Sequence, residues 1–357
     1  MSRRAPGADR LPALAAPGGA VDRLVRDGAR AAGVGAVWAL GDAGGTLGGA
    51  AHGVLGQGRY AHLSPGLDTL YDLASLTKIV ALWPCAGVLW QSGRLPLDEP
   101  IGRWWRPAAG HPAEVVTARQ LLSHTAGMLP YTRFEQLYGR AAAAIRAGVV
   151  AAPLHRAPGT AVEYTDRAAV LLTYLVEDLG GAPLDELATR WAWRPLGMTD
   201  TRYGPLPAEE AGRTAPTEYD ESTGAHLCGV VHDPSARLLG GVSGNAGAFS
   251  TARDLARFLT ALLAPPPRLP WGDRWIAESL REQTGGLAPA RGLSWLCAPG
   301  TAPAEGTFVH YGFTGTGLWI SRRLGRWALL LTNKVHHDRT TQPLTDLRNA
   351  FRQAVFG

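Results

Sequence analysis

The chain has 357 residues, 46% of them hydrophobic, with 45 glycines, 26 prolines and a net charge of +5. That length and apolar content suffice for one large two-lobed unit or two closely packed domains, joined by many loops. The positive charge is scattered arginine (Arg23, Arg26, Arg30, Arg103, Arg106, Arg322, Arg323), with no dense run and no interleaved aromatics, which argues against a nucleic-acid partner.

Residues 1–18 are rich in Pro, Gly, Ala and Arg and read as a loosely held tail. The apolar stretch Leu11 to Ala16 is short and broken by Pro12, so no secretory signal is expected. Val21 to Ala32 has helical apolar spacing and ends at Gly33. Gly35 to Leu40 reads as a strand, residues 41–45 as a turn, and a second strand runs towards Val54. The segment Tyr71 to Lys78 leads into a helix to about Trp90, closed by residues 92–95. Its run from Ile79 to Trp90 holds Pro84 and Gly87 and is too short to span a bilayer, so no membrane partner is expected. Helices are predicted over Thr117–Ser123, Phe134–Gly148, Arg167–Gly180 and Leu184–Trp193. The β signal returns at Gly292–Ala298, Thr307–His310, Gly317–Ser321 and Arg326–Asn333, and a last helix runs from about Thr341 to Val355.

Strands joined by short turns make the sheet largely antiparallel. The predicted fold class is α+β: residues 19–95 and 241–357 form a split α/β domain of sheet and flanking helices, and 96–240 an inserted helical domain. Cys85, Cys228 and Cys297 are an odd set without metal-type spacing and read as reduced, mostly buried thiols of a cytoplasmic protein. His336-His337-Asp338 has no identifiable third ligand, so neither a metal nor a cofactor is expected. No Gly-x-Ser-x-Gly elbow, P-loop, dinucleotide fingerprint or His-Glu-x-x-His helix occurs.

Lysine is rare: Lys78 and Lys334 are the only two. Ser75 and Lys78 stand three residues apart, on one face if the segment is helical. A serine hydroxyl needs a base to become a nucleophile, and a lysine serves once burial and nearby positive charge lower its pKa towards neutrality. A helix start adds free backbone N–H groups and a dipole that favour negative charge. By itself the pattern equally fits an N-cap serine beside a solvated lysine.

The wider segment Tyr71-Asp72-Leu73-Ala74-Ser75-Leu76-Thr77-Lys78 resembles the nucleophile motif of the serine β-lactamase and penicillin-binding-protein superfamily, most closely its class C β-lactamase-like esterases and transacylases. Leu121 to Met128, Leu196 to Thr201 and Gly244 to Thr251 resemble further family stretches in the same order, so the likeness covers about residues 20–350. The resemblance implies the β-lactamase/transpeptidase-like fold, with Ser75 as nucleophile and Lys78 and Tyr164 as proton carriers. A phenol, with a pKa of about 10, needs adjacent positive charge to act as phenolate at neutral pH, and Lys78 supplies it. Asp166 stands where relatives carry Asn, which exchanges an amide donor towards substrate for a negative charge. His310-Tyr311-Gly312 stands at the Lys-Thr-Gly position and lines the substrate edge, with Gly312 allowing close approach. The backbone amides of Ser75 and Phe313 form the implied oxyanion hole, each donor contributing about 3 kcal/mol. A neutral His310 draws a carboxylate less than a lysine does, which favours neutral esters or amides.

The expected partners are therefore a small-molecule acyl donor and, for transfer, an acceptor. Ester hydrolysis leads. Acyl transfer to an amine or alcohol in natural-product assembly follows, then β-lactamase, DD-carboxypeptidase or D-aminopeptidase action, and last an inactive binding protein of this fold.

Overall fold

The computed structural model describes residues 11–130, 133–340 and 342–357. Residues 1–10 of the expected tail, and Thr341 at the start of the last helix, lie outside the described residues. The main sheet has six antiparallel strands: β1 (Ala36–Asp42), β2 (Gly45–His52), β3 (Leu296–Cys297), β4 (Phe308–Tyr311), β5 (Gly317–Ser321) and β6 (Arg326–Thr332). Their order is β2-β1-β6-β5-β4-β3, so the first hairpin closes on the last strand, Ala36 facing Thr332 and Asp42 facing Arg326. The longer helices are α1 (Ala20–Ala32), α2 (Trp83–Gln91), α3 (Ala142–Ala151), α4 (Asp166–Gly180), α5 (Ala252–Leu263) and α6 (Gln342–Phe356).

Both faces of the sheet are covered, and the two-residue period of a strand divides the side chains between them. Ala36, Trp38 and Leu40 of β1, with Trp319, Ala328 and Leu330, pack on α1 (Val21, Val25, Ala29) and α6 (Leu347, Phe351, Val355). Val37 and Ala39, with Leu318, Leu329 and Leu331, face the larger core with Leu255 and Leu259 of α5. Strands buried on both sides need no polar alternation, which is why β5 and β6 read as near-continuous apolar runs.

Four expectations are corrected. Part of the presumed tail is ordered: Leu11–Ala15 is helical, and Ala15 is buried and packs near β2. The strand expected over Gly292–Ala298 shrinks to Leu296–Cys297, because Ser294 takes a left-handed φ of 66° and the preceding residues turn. The helix expected over Phe134–Gly148 breaks at Gly139, whose φ of 76° suits glycine, into Phe134–Tyr138 and α3. Nor is the segment 96–240 all helix. Arg202–Tyr203 joins Ala248–Ser250 and Tyr71–Asp72 in a three-stranded sheet, and Tyr219–Asp220 pairs with Ala225–His226. One apolar core includes residues of the sheet and of this segment, among them Leu121, Leu171 and Leu187. Among the described residues no helix is long and apolar enough to cross a membrane.

The run after Ser75 is not one regular helix. A 3₁₀ turn (Ala74–Leu76) leads into a π-helical turn (Lys78–Leu82) and then α2. Pro84, in the first turn of α2, has no N–H to give the carbonyl of Val80 four residues back. The Trp193 indole Nε1 donates to that carbonyl instead, at 2.9 Å. The Trp83 ring is enclosed by Phe258, Trp271, Trp275 and Trp295, with centroids 5.2 to 6.3 Å away, and anchors α2 in the core. Removing the substitute donor should leave the Val80 carbonyl unsatisfied, so Trp193→Phe is expected to destabilise the protein by about 2 kcal/mol in urea unfolding. Adding Pro84→Ala, which restores an N–H, should recover part of that loss.

Candidate active site

Tyr71–Asp72 is held by pairing with Ala248–Ser250, and the buried Asp72 carboxylate accepts the N–H groups of Ala74 (2.8 Å) and His232 (2.7 Å). The hydroxyls of Thr314 and Thr316 donate to the Asp72 and Leu73 carbonyls at 2.7 and 3.2 Å. Between these clamps Ala74 adopts φ 45°, a left-handed conformation that costs a non-glycine residue energy and persists only where its surroundings enforce it. The bend leaves Ser75 half-buried in the wall of a cavity of about 920 Å³. A Cβ on Gly312 would sit 2.4 Å from the Leu73 carbonyl oxygen and 2.1 Å from Thr316 Oγ1. This glycine is therefore required for the end of β4 to lie against the Ser75 segment, a packing reason beyond the substrate approach expected from the sequence.

Lys78, 2% exposed, donates three hydrogen bonds from Nζ: to Ser75 Oγ (3.0 Å), Asp166 Oδ1 (2.7 Å) and the Asn245 carbonyl (3.1 Å). Burial alone pushes the ammonium down; the charge of Asp166, seconded by Tyr164, more than offsets it, and the pKa ends above the ordinary lysine value. This overturns the expectation of a lysine lowered towards neutrality. Burial and positive neighbours are legible near Lys78, but Asp166 lies 88 residues away and meets it only in the fold. Asp166 lines the cavity, as expected, and commits one carboxylate oxygen to the lysine.

Tyr164, Thr165 and Asp166 are the entry to α4. Thr165 is its N-cap, accepting the N–H of Arg167 at 3.2 Å and donating to the Leu129 carbonyl at 2.8 Å. The Thr165 N–H donates to Nδ1 of His124, at 3.3 Å. His124 thus organises this loop, and burial followed by the charges of Arg291 and Lys78 pushes it well below the usual imidazole range. Its ring lies 4.5 Å from that of Tyr164. Lys78 Nζ and Arg291 Cζ lie 4.9 and 5.4 Å from the Tyr164 ring centroid.

The buried His310 faces Tyr164 with ring centroids 6.2 Å apart, and its Nδ1 is 2.8 Å from the Ser294 carbonyl. That contact requires a proton on Nδ1, and burial, then Lys78 and Arg291, keep the ring neutral, so Nε2 is an acceptor. Tyr311 and Gly312 also line the cavity, and Arg348 braces them: its guanidinium lies 4.5 Å from the Tyr311 ring and donates to the carbonyls of Gly312 (3.1 Å) and Thr316 (2.7 Å). Phe313 sits at the exposed tip of this turn, stacked on His232 with centroids 5.6 Å apart.

The structure brings Ser75, Lys78, Tyr164, Asp166, His310, Tyr311, Gly312 and Phe313 to one place. It adds Asn245, which holds Lys78 by its carbonyl and donates from Nδ2 to Asp233 at 3.1 Å, and the cavity residue Arg291. Asn245 falls within a stretch whose family likeness is visible, whereas a carbonyl contact leaves no mark in sequence. Arg291 has no local signal at all. Among the described residues no tryptophan lines the cavity.

A serine bonded to a buried lysine, with a tyrosine at a helix start and an antiparallel sheet beside them, is the arrangement of a serine hydrolase. The Beta-lactamase family model matches residues 21–350, and the chain belongs to that family. It is 31% identical to Esterase EstB of Burkholderia gladioli over 336 residues, 81% of this chain and 82% of the esterase. Simvastatin synthase (LovD) from Aspergillus terreus superposes with a TM-score of 0.73 at 20% identity, covering 94% of this chain and 97% of that one. A β-lactamase/D-alanine carboxypeptidase from Pseudomonas syringae gives 0.74 at 19% identity, covering 94% and 99%. At such identities the two structures speak for the fold alone.

The Lys78–Asp166 pair has a pH signature. A lysine whose folded pKa is raised contributes stability that is complete below the unfolded value of about 10.4 and is lost only as pH rises through the folded value. In Asp166→Asn the largest remaining influence on Lys78 is burial, which lowers its pKa; the resulting penalty is greatest at low pH and is relieved as the ammonium deprotonates. Urea unfolding should therefore show the wild type more stable than Asp166→Asn at about pH 6, with the gap narrowing towards about pH 9.5. A gap that stays flat across this range would show that Asp166 does not set the lysine's charge.

Proposed function

We propose that the enzyme cleaves carboxylic esters through an acyl-enzyme on Ser75. Ser75 Oγ attacks the ester carbonyl carbon while its proton passes to the phenolate oxygen of Tyr164, a form the neighbouring Lys78 ammonium favours. The backbone amides of Ser75 and Phe313 hold the oxyanion. Collapse breaks the bond to the alcohol oxygen, which takes the proton from Tyr164. Water then attacks the acyl-enzyme by the same route in reverse and releases the acid. The observation that carries the proton assignment is the Lys78–Asp166 bond of 2.7 Å, because a lysine so held is a fixed ammonium that donates to Ser75 Oγ rather than deprotonating it. Lys78 then orients the hydroxyl and supplies positive charge beside Tyr164. The likeness to Esterase EstB and the neutral His310 support an ester over a penicillin or a peptidoglycan stem.

A second reading, transfer of the acyl group to an amine or alcohol, draws on the cavity volume of about 920 Å³, which has room for a donor and an acceptor together. The discriminating variable is water exclusion at the acyl-enzyme.

With p-nitrophenyl butyrate as substrate, Ser75→Ala should lower kcat by about a thousandfold or more, and Tyr164→Phe by about 10²–10⁴. Acyl-amide product on adding an amine would put transfer ahead of hydrolysis. Turnover of a chromogenic cephalosporin without ester turnover would overturn the ester reading.

A further inference from the structure

The two backbone amides to which the ester reading assigns the oxyanion come from separate parts of the chain. The Ser75 amide follows the strained Ala74, with its φ of 45°, and the Phe313 amide stands at the exposed tip of the β4–β5 turn. Neither segment holds its amide by local preference. A non-glycine residue leaves the left-handed region unless its surroundings restrain it, and a turn tip is the more mobile part of a hairpin. The Phe313 N–H makes no hydrogen bond among the described residues, so it is free to serve a ligand.

One residue reaches both. Asp72 is 2% exposed, and each of its oxygens is engaged here. Oδ1 accepts the N–H of Ala74, the residue before Ser75, at 2.8 Å. The main-chain carbonyl accepts the hydroxyl of Thr314, the residue after Phe313, at 2.7 Å. Oδ2 accepts the His232 N–H at 2.7 Å, and the His232 ring lies on that of Phe313 with centroids 5.6 Å and planes 27° apart. Thr314 is buried beneath the exposed phenylalanine, so its hydroxyl fixes the turn from the inside. The arrangement is costly, because the Asp72 carboxylate is buried against main-chain N–H groups rather than against a cation, and burial pushes its pKa up. Charge-assisted bonds from two amides offset part of that cost. The pairing of Tyr71–Asp72 with Ala248–Ser250 needs no charge; what the carboxylate adds is a fixed position for the residues around it.

We propose that Asp72 is the positioning residue of the oxyanion hole, setting the separation and aim of the Ser75 and Phe313 amides through Ala74 on one side and Thr314 and His232 on the other. This rests on the acyl-enzyme reading for which amides receive the oxyanion. Donors fixed before the reaction need not reorganise as charge develops on the carbonyl oxygen. Loosening either tie therefore raises the barrier to the tetrahedral intermediate and leaves binding of the uncharged ester nearly unchanged.

Kinetics with p-nitrophenyl butyrate test the role. Asp72→Asn keeps the size but sets an amide NH2 against one of the two N–H groups, and Thr314→Val keeps the shape and removes the hydroxyl. Each should lower kcat about tenfold to a hundredfold with KM within about twofold. Thr314→Ser keeps the hydroxyl and should recover most of the Thr314→Val loss. A kcat within about twofold of wild type in both single variants overturns the proposal. So does a rise in KM at unchanged kcat, or a Thr314→Ser no better than Thr314→Val. Should Asp72→Asn fail to fold, the two Thr314 variants decide. Butylboronic acid, which forms a tetrahedral adduct on a serine oxygen, gives a readout without turnover. Its affinity should fall in Asp72→Asn and Thr314→Val by about the same factor as kcat/KM, and be lost in Ser75→Ala. Boronate binding that depends on Ser75, Asp72 and Thr314 in a protein without ester turnover would keep the positioning role and discard the ester reading. Ser75-dependent ester turnover that neither variant disturbs would keep the ester reading and discard the positioning role, and absence of both activities in the wild type would discard both.

Discussion

Burying one ammonium organises the site. Lys78 is sealed in the core beneath Ser75, and its Nζ draws oxygens from three distant parts of the chain: the Ser75 hydroxyl, the Asp166 carboxylate at the start of α4 and the Asn245 carbonyl. A buried charge must be fully bonded or it destabilises the fold, so these three segments are held to each other as firmly as each is held to its own helix or strand. The aspartate is the decisive partner. A neutral acceptor in its place would leave burial to pull the lysine towards neutrality, whereas the carboxylate locks it as a cation. In the mechanism proposed above, the proton-transfer duty then falls to the neighbouring tyrosine.

The surrounding structure is rigid where the chemistry needs it. Ala74 holds an unfavourable φ of 45° because the Asp72 carboxylate, the threonine hydroxyls of the β4–β5 turn and the pairing with Ala248–Ser250 restrain the residues around it. The π-helical turn that follows carries Lys78 into α2, and the tryptophan cluster around Trp83 fixes that helix to the core. Stability built into distant packing thus supports a bent and costly segment at Ser75.

Charge in the cavity is unevenly distributed. The two histidines are neutral, Lys78 is paired, and Arg291 is neither paired nor able to discharge. Membership of the Beta-lactamase family does not by itself select a substrate. The cavity lining includes a histidine acceptor at 310 and the guanidinium of Arg291, with the fixed ammonium of Lys78 beside Ser75.

Much was legible in the residues themselves. Helical spacing located α1 and α4, the apolar runs located β5 and β6, and the motifs around Ser75, Tyr164 and His310 named side chains that do meet in one cavity. These are local signals, carried by periodicity and by residue type at fixed spacing. The tertiary structure alone decided the charge state of Lys78, because its partner Asp166 lies 88 residues away and electrostatics depends on distance in space. It also decided the closure of the first hairpin on the last strand, the replacement of a proline's missing donor by Trp193, and the presence of Arg291 at the site. Each of these is a meeting between residues far apart in the chain, which only packing brings together.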